Sequence, residues 1–369
     1  MRVLASGHGK EPSISATANR TTAAGSRRVT LREVAKQAGV SLGMASRVLG
    51  GYGSYSEKTR RKVLEAAREL DYRPNALARS LRLGRSKAIG VVVADIMSYH
   101  WTTFVRGIED AAAQRGYQVI LGTTADNSEA ERRYIRALYE RNVDGIILSP
   151  SSDNEEMLAK LAEDGLAMIL VESSSSEIKA PRINVDDRLA AREATEHLLS
   201  LGHTSIGLVA GPQELESGRN RLEGYRDALL AAGLAYREEL VRIADFGAAG
   251  GYRATRELLE SRERPTALLV CNELMTGGAV QCLKDLGVSV PEEVSLVAFD
   301  DPAWASFFTP ALTTVRTPRM EVATKALDAL LAHIKAGTRV EEPEEVIIPT
   351  ELVVRESTGP PRSHGSSVD

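Results

Sequence analysis

The chain has 369 residues, 43% hydrophobic and 26% charged, enough for two or three globular domains with buried cores. No apolar run approaches the ~18 residues of a membrane span, which speaks against a membrane protein. The net charge of −4 hides an asymmetry: residues 26–87 hold 15 Lys and Arg against 5 Asp and Glu, whereas residues 88–355 hold 27 against 42.

A basic head on an acidic body points to a polyanionic partner for the head, although a solvated, basic-faced helical domain would carry the same charge. Residues 1–25 are rich in Ser, Thr, Ala and Gly and lack an apolar leader, so a disordered tail and a cytoplasmic protein are expected. The head opens at Thr30-Leu31-Arg32-Glu33, a capping-box pattern, followed by Val34, Ala35 and Ala38 at helical spacing. Gly39 stops that helix, and Ser41 caps a second one running to about Leu49. Two short helices joined by a glycine-containing turn make a helix-turn-helix. A third helix is expected from Ser56 to Leu70, with Lys58, Arg60, Arg61 and Lys62 near its start. After Pro74, residues Asn75 to Arg82 form a two-turn segment too short to be a stable helix alone, so it would fold only when docked.

The run Val29 to Ser41, then Ser46-Arg47-Val48-Leu49, Thr59-Arg60, and Asp71-Tyr72-Arg73-Pro74-Asn75 through Leu81 closely resembles the headpiece of the lac repressor (LacI) family. The resemblance continues to about Arg355. It implies that the second helix enters the major groove of double-stranded operator DNA, with Leu42, Gly43, Ser46 and Arg47 facing base edges. Thr30, Leu31, Ser41, Ser56, Thr59 and Asn75 would contact or support the DNA backbone. Leu81, helped by Ala78 and Arg82, would wedge a central base step apart in the minor groove. Gly43, Met44 and Gly50 depart from the family's usual residues, which shifts readout toward Arg47, Leu42 and the hinge.

From Ala88 onward short apolar runs alternate with amphipathic stretches. Strands are expected at Ile89–Ala94, Gln118–Leu121, Gly145–Leu148 and Ala167–Val171, with a helix from about Thr102 to Arg115. A second set follows at Ser205–Ala210, Leu240–Ile243, Ala267–Val270 and Val294–Phe299. Two such sets predict two doubly wound parallel-sheet lobes, like those of periplasmic binding proteins, behind the all-α headpiece. The expected boundaries are 1–25 tail, 26–73 helix-turn-helix, 74–87 hinge and linker, 88–355 effector-binding and dimerisation body, and 356–369 disordered tail. Ligands of open α/β sheets sit beyond the carboxyl ends of the strands. That rule singles out Tyr99, Trp101 and Phe104 after the first strand, then Ser149 and Glu172, and in the second lobe Arg219, Arg221, Phe246, Asn272 and Asp300. The resemblance adds that positions matching Arg219 or Arg221, Phe246, Asn272 and Asp300 commonly touch the effector, and that Glu172 stands where Asp is typical. Such acids, amides and aromatics suit a carbohydrate; a purine-like base stacked on the same aromatics is the alternative.

Plainer roles compete with these. Asn272 and Asp187 are as well placed to be helix caps, and Phe104 and Trp101 to pack the core. Arg219 and Arg221 have Glu214, Glu216 and Glu223 nearby as surface partners. Gly39-Val40-Ser41-Leu42-Gly43 spells a nucleophile elbow but follows a helix, the six histidines show no metal-ligand spacing, and no phosphate-binding glycine loop occurs. Two cysteines, Cys271 and Cys282, support neither a disulfide framework nor a four-cysteine zinc site. The sequence therefore reads as a homodimeric DNA-binding regulator, a repressor in character, with no cofactor, metal or catalytic residue. A solute-binding protein of sugar transport shares the two-lobed body but would need an export signal and no basic head.

Overall fold

The computed structural model describes residues 29–72, 85–337 and 343–362, and it divides into two units between residues 83 and 84. The expected tail at 1–25 and most of the expected hinge lie outside the described residues.

In the head, α1 (Leu31–Ala38), α2 (Leu42–Gly50) and α3 (Glu57–Glu69) follow the capping signals closely. The Glu33 carboxylate accepts from the Thr30 amide at 2.7 Å and from its hydroxyl at 2.9 Å. Ser41 accepts from the Met44 amide, and Ser56 from the Thr59 amide. Val34, Ala45 and Val63, each 0% exposed, place one residue of every helix at the centre of a shared core.

The body holds two six-stranded sheets. The first contains β1 (Ala88–Val93), β2 (Gln118–Thr123), β3 (Gly145–Leu148), β4 (Ala167–Val171), β5 (Arg182–Val185) and β11 (Glu345–Ile348), in the order β11-β5-β4-β3-β1-β2. The second contains β6 (Ile206–Ala210), β7 (Val241–Ile243), β8 (Ala267–Val270), β9 (Ser295–Phe299), β10 (Thr313–Arg316) and β12 (Glu351–Val353), in the order β12-β10-β9-β8-β6-β7. Neighbours pair in parallel except β12, which runs antiparallel to β10. Central strands are apolar on both faces because helices cover both sides. Those helices are α4 (Tyr99–Gln114), α5 (Ser128–Glu140), α6 (Glu155–Glu163) and α11 (Arg319–Ala336) on the first sheet. On the second they are α7 (Asp187–Ser200), α8 (Glu216–Ala231), α9 (Ala248–Glu260) and α10 (Glu273–Asp285).

Three connections pass between the lobes, after β5, between β10 and α11, and between β11 and β12. Helix α11 and strand β11 are therefore separated in sequence from the lobe they complete: Val322, Ala323, Ala326, Leu327, Leu330 and Ile348 join the core under β1, β3 and β4.

Two expectations need correction. Helix α4 begins at Tyr99, three residues earlier than its periodicity suggested, because Ser98 supplies an extended N-cap position. The segment after Arg355 was expected to be disordered, yet residues 356–362 are described and tied down. The Ser357 hydroxyl donates to the Leu296 carbonyl at 2.6 Å and accepts from the Thr313 amide at 2.8 Å. The Gly359 carbonyl takes a hydrogen bond from the Ser295 hydroxyl and lies 2.8 Å from His203 Nε2. Small polar residues signalled a loose tail; what they do is satisfy backbone groups at the β9 and β10 edge.

Candidate functional site

Two surfaces carry chemistry. On the head, α2 turns Ala45 and Val48 inward, which leaves Leu42, Gly43 and Arg47 exposed and Ser46 half-buried on the other face. The Ser46 hydroxyl lies 3.1 Å from the Tyr52 hydroxyl, so α2 is braced by the loop that follows it. Thr30, Ser41 and Ser56 are N-caps, the Thr59 hydroxyl lies 2.8 Å from that of Ser56, and Leu31 packs on the head core. The exposed helix face with basic residues around it is what phosphate positioning and base-edge reading need. Asn75, Ala78, Leu81 and Arg82 lie outside the described residues.

In the body a cavity of about 420 Å³ opens at the carboxyl ends of both sheets. Eight of the ten residues singled out from the sequence line it: Trp101, Ser149 and Glu172 from the first lobe, and Arg219, Arg221, Phe246, Asn272 and Asp300 from the second. Phe104 does not; starting α4 at Tyr99 turns it inward, 1% exposed, edge-on to Trp101. Tyr99 is also absent from the lining, 40% exposed at the first turn of the helix.

Three cleft residues, two directly after a strand and one three residues past it, share an unusual backbone. Glu172 has φ 52°, Phe246 59° and Asp300 67°, all left-handed. A bulky residue such as Phe rarely adopts this conformation, and such strain persists where surrounding structure enforces it. Here the Asn272 side-chain amide donates to the Phe246 carbonyl at 2.8 Å while its oxygen caps α10 through the Met275 amide. The Phe246 ring lies so close over Gly211 that a Cβ there would come within 2.1 Å of it. Asn272 is thus a cap and also the clamp on a cleft aromatic.

The floor of the cleft is a buried charge cluster. Arg319 Nη1 donates to Glu172 Oε1 at 2.8 Å, and Nη2 lies 3.8 Å from Asp300 Oδ1. His100 places Nε2 2.6 Å from Glu172 Oε1 and Nδ1 3.4 Å from Asp300 Oδ1. Burial and the Arg319 guanidinium favour a neutral His100 ring, but the Glu172 and Asp300 carboxylates outweigh them and raise its pKa. Burial likewise opposes ionisation of Glu172 and Asp300, yet the cationic neighbours hold Glu172 down at about 2 and Asp300 below its usual range. The cluster joins the lobes, and a further link runs from the Tyr99 amide to Glu273 Oε1 at 2.7 Å.

Arg221, 3% exposed, donates from Nε to Asp187 Oδ1 at 2.8 Å and from Nη1 to the Cys271 carbonyl, with its guanidinium over the Phe299 ring. Asp187 is therefore not the cap of α7; Asp186 caps it through the Leu189 amide. Arg219 is exposed and bonds the Gln213 and Glu214 carbonyls. Sequence reasoning passed over His100, Glu273 and Arg319. Glu273 adjoins Asn272 at a strand end, a usable signal, whereas Arg319 arrives from a lobe crossing and had none.

Residues 30–75 match the description "Bacterial regulatory proteins, lacI family", and residues 195–358 match "Periplasmic binding protein-like domain". The chain is 32% identical over 339 residues to the HTH-type transcriptional repressor PurR of Escherichia coli O139:H28, covering 91% of this chain and 99% of the relative. Among solved structures it resembles the lac repressor dimer bound to operator and the anti-inducer ONPF, with a TM-score of 0.81 and 29% identity over 90% of this chain and 100% of the other. The transcriptional regulator CelR–cellobiose complex gives 0.68 and 32%, over 89% and 100%.

Proposed function

Since the chain belongs to the lacI family of bacterial regulatory proteins, and is thus a DNA-binding transcriptional regulator, we propose that it is a cytoplasmic homodimeric repressor controlled by a sugar-like effector bound between its lobes. The observation that carries the reading is a cleft of about 420 Å³ in which carboxylates, an amide and two aromatic faces converge at strand ends. Carboxylate and amide groups bond hydroxyls, while Trp101 and Phe246 cover the apolar face of a ring. The relative solved with cellobiose supports the carbohydrate class.

In this reading Arg47, Leu42, Gly43 and Ser46 meet base edges, while Thr30, Ser41, Ser56 and Thr59 position the head on phosphates and Leu31 supports them. Asn75, Ala78, Leu81 and Arg82 carry the hinge contacts. An effector with unequal affinity for the open and closed lobe arrangements shifts their population and with it operator affinity. No catalytic step is assigned to any residue.

Selection from a random DNA pool, repeated with sugars and with purine bases added, tests both halves. Enrichment of a two-fold symmetric site whose occupancy responds to a sugar is expected. Failure to enrich any site sinks the DNA assignment; a response to purines alone replaces the sugar with a flat base.

A further inference from the structure

Among the described residues lining the cleft, eleven Asp and Glu face only three cationic groups, Arg219, Arg221 and His100. All three are already engaged: Arg219 by backbone carbonyls, Arg221 by Asp187 and the Cys271 carbonyl, His100 by Glu172 and Asp300. Arg319 sits behind Glu172 and is not part of the lining. Behind the lining Arg319 keeps Nε and Nη2 without a hydrogen-bond partner, but in the lining itself an anionic effector would find no uncommitted cation and would enter a strongly negative field that low-dielectric walls focus.

Two buried carboxylates point further. Glu273 is 4% exposed and Asp300 also 4%, both line the cavity, and each has one oxygen without a hydrogen-bond partner among the described residues: Glu273 Oε2 and Asp300 Oδ2. Their other oxygens are used, by the Tyr99 amide and by His100. Glu273 has no ion-pair partner among the described salt bridges, unlike Glu172 and Asp300. Burial first, then the charge of Asp300 and a shared hydrogen bond with it, push the Glu273 pKa upward against the opposing pull of Ser98 and His100, as expected for two carboxyls held side by side. Burying such a group unpaired is costly, so its presence calls for a donor that arrives with the ligand.

The geometry points to an effector bearing a protonated amine, an amino sugar or similar amino polyol, whose ammonium bridges Glu273 Oε2 and Asp300 Oδ2. This rests on the cleft being the effector site and narrows the carbohydrate reading to its cationic members. An ammonium supplies the N–H donors for both orphan oxygens in charge-assisted bonds. The sugar hydroxyls would be left to the remaining amide and serine groups of the cleft, and the ring face to Trp101 and Phe246.

The test uses the full chain and a panel of amino hexoses, amino alcohols and aminocyclitols. Each is paired with its hydroxyl parent, its N-acetyl derivative and, for hexoses, its 6-phosphate. Thermal shift ranks the panel and titration calorimetry measures the hits. At least one amine is expected to bind, with a loss of tenfold or more on acetylation or replacement by hydroxyl, and with no binding of phosphates. Glu273→Gln keeps an acceptor for the Tyr99 amide, so it should preserve the melting temperature of the free protein. It should cost tenfold or more toward the amine and clearly less toward the hydroxyl parent; Asp300→Asn gives the same selective loss if the first variant fails to fold. A hydroxyl parent binding as tightly as its amine, or no amine binding at all, overturns the inference. The first of these results leaves the sugar reading standing, while binding of purine bases alone removes both.

Discussion

Arg47 is the one long basic side chain on the exposed face of α2, and Gly43 beside it offers no side chain to a base. Replacing it tests whether the head reads sequence or only charge. Arg47→Ala should weaken binding to the selected site by ~1–3 kcal/mol at fixed salt while barely changing binding to random DNA. Equal losses on both would make Arg47 a phosphate contact. His100 gives a second prediction, because its charge ties the two lobes. Its pKa is raised in the folded state, so the stabilisation is complete below the ordinary value of 6.5 and is lost as pH rises through the folded value. The difference in melting temperature between the wild type and His100→Gln should therefore shrink from pH 6 to pH 9. A difference that stays constant would show that the ring acts by packing against Trp101, which it meets edge-on at 4.6 Å, and not by charge. Much of this cleft was legible, because one rule, that ligands sit past parallel strand ends, locates Glu172, Phe246, Asn272 and Asp300 directly. His100 was hidden because a lone histidine in a helix start has no pattern, and Phe104 misled because an error of three residues in a helix start moves a side chain to another face.

Helix packing supplies a sharper contrast. Helices α9 and α10 cross where Gly251 meets the Met275 backbone and Gly278 meets that of Ala248; a Cβ at Gly278 would lie 1.9 Å from the Ala248 carbonyl oxygen. Gly278→Ala must push two helices apart and should destabilise the body by at least ~1–3 kcal/mol. Its neighbour Gly277 is exposed and a Cβ there meets nothing within 4 Å. Gly277→Ala should stabilise by up to ~1 kcal/mol through helix propensity alone. Denaturant unfolding of the two variants should give opposite signs, and a matching sign would mean that the crossing is not the constraint. The sequence shows two adjacent glycines but not which one is pressed against a neighbour. Elements with a continuous apolar run, such as β3, β4 and β8, were found at their observed ends. Those missed, β5, β10, β11 and β12, mix polar residues into three- or four-residue strands, and β11 and β12 lie at sheet edges, where burial no longer writes a pattern.

One head reads too few base pairs for useful specificity, so pairing of two bodies and a two-fold site are expected. Residues 356–362 are fastened to the second lobe by the Ser357 and Gly359 hydrogen bonds. Light scattering should report a dimer at micromolar concentration; a stable monomer or tetramer contradicts this. The lobe crossings bear on how the chain is made. The helices of the head end at Glu69, so its core can close early in synthesis, whereas the first sheet must wait for α11 and β11. Roughly 160 residues separate β5 from β11, which at ribosomal rates is about 10–30 s. During that interval the apolar face of β1, β3 and β4 is covered only in part, by α4, while the whole second lobe is still emerging. A ribosome arrested midway thus holds a finished DNA-binding head beside a sticky half-lobe, and the yield of this protein in a cell depends on what shields that face until Leu330 and Ile348 arrive.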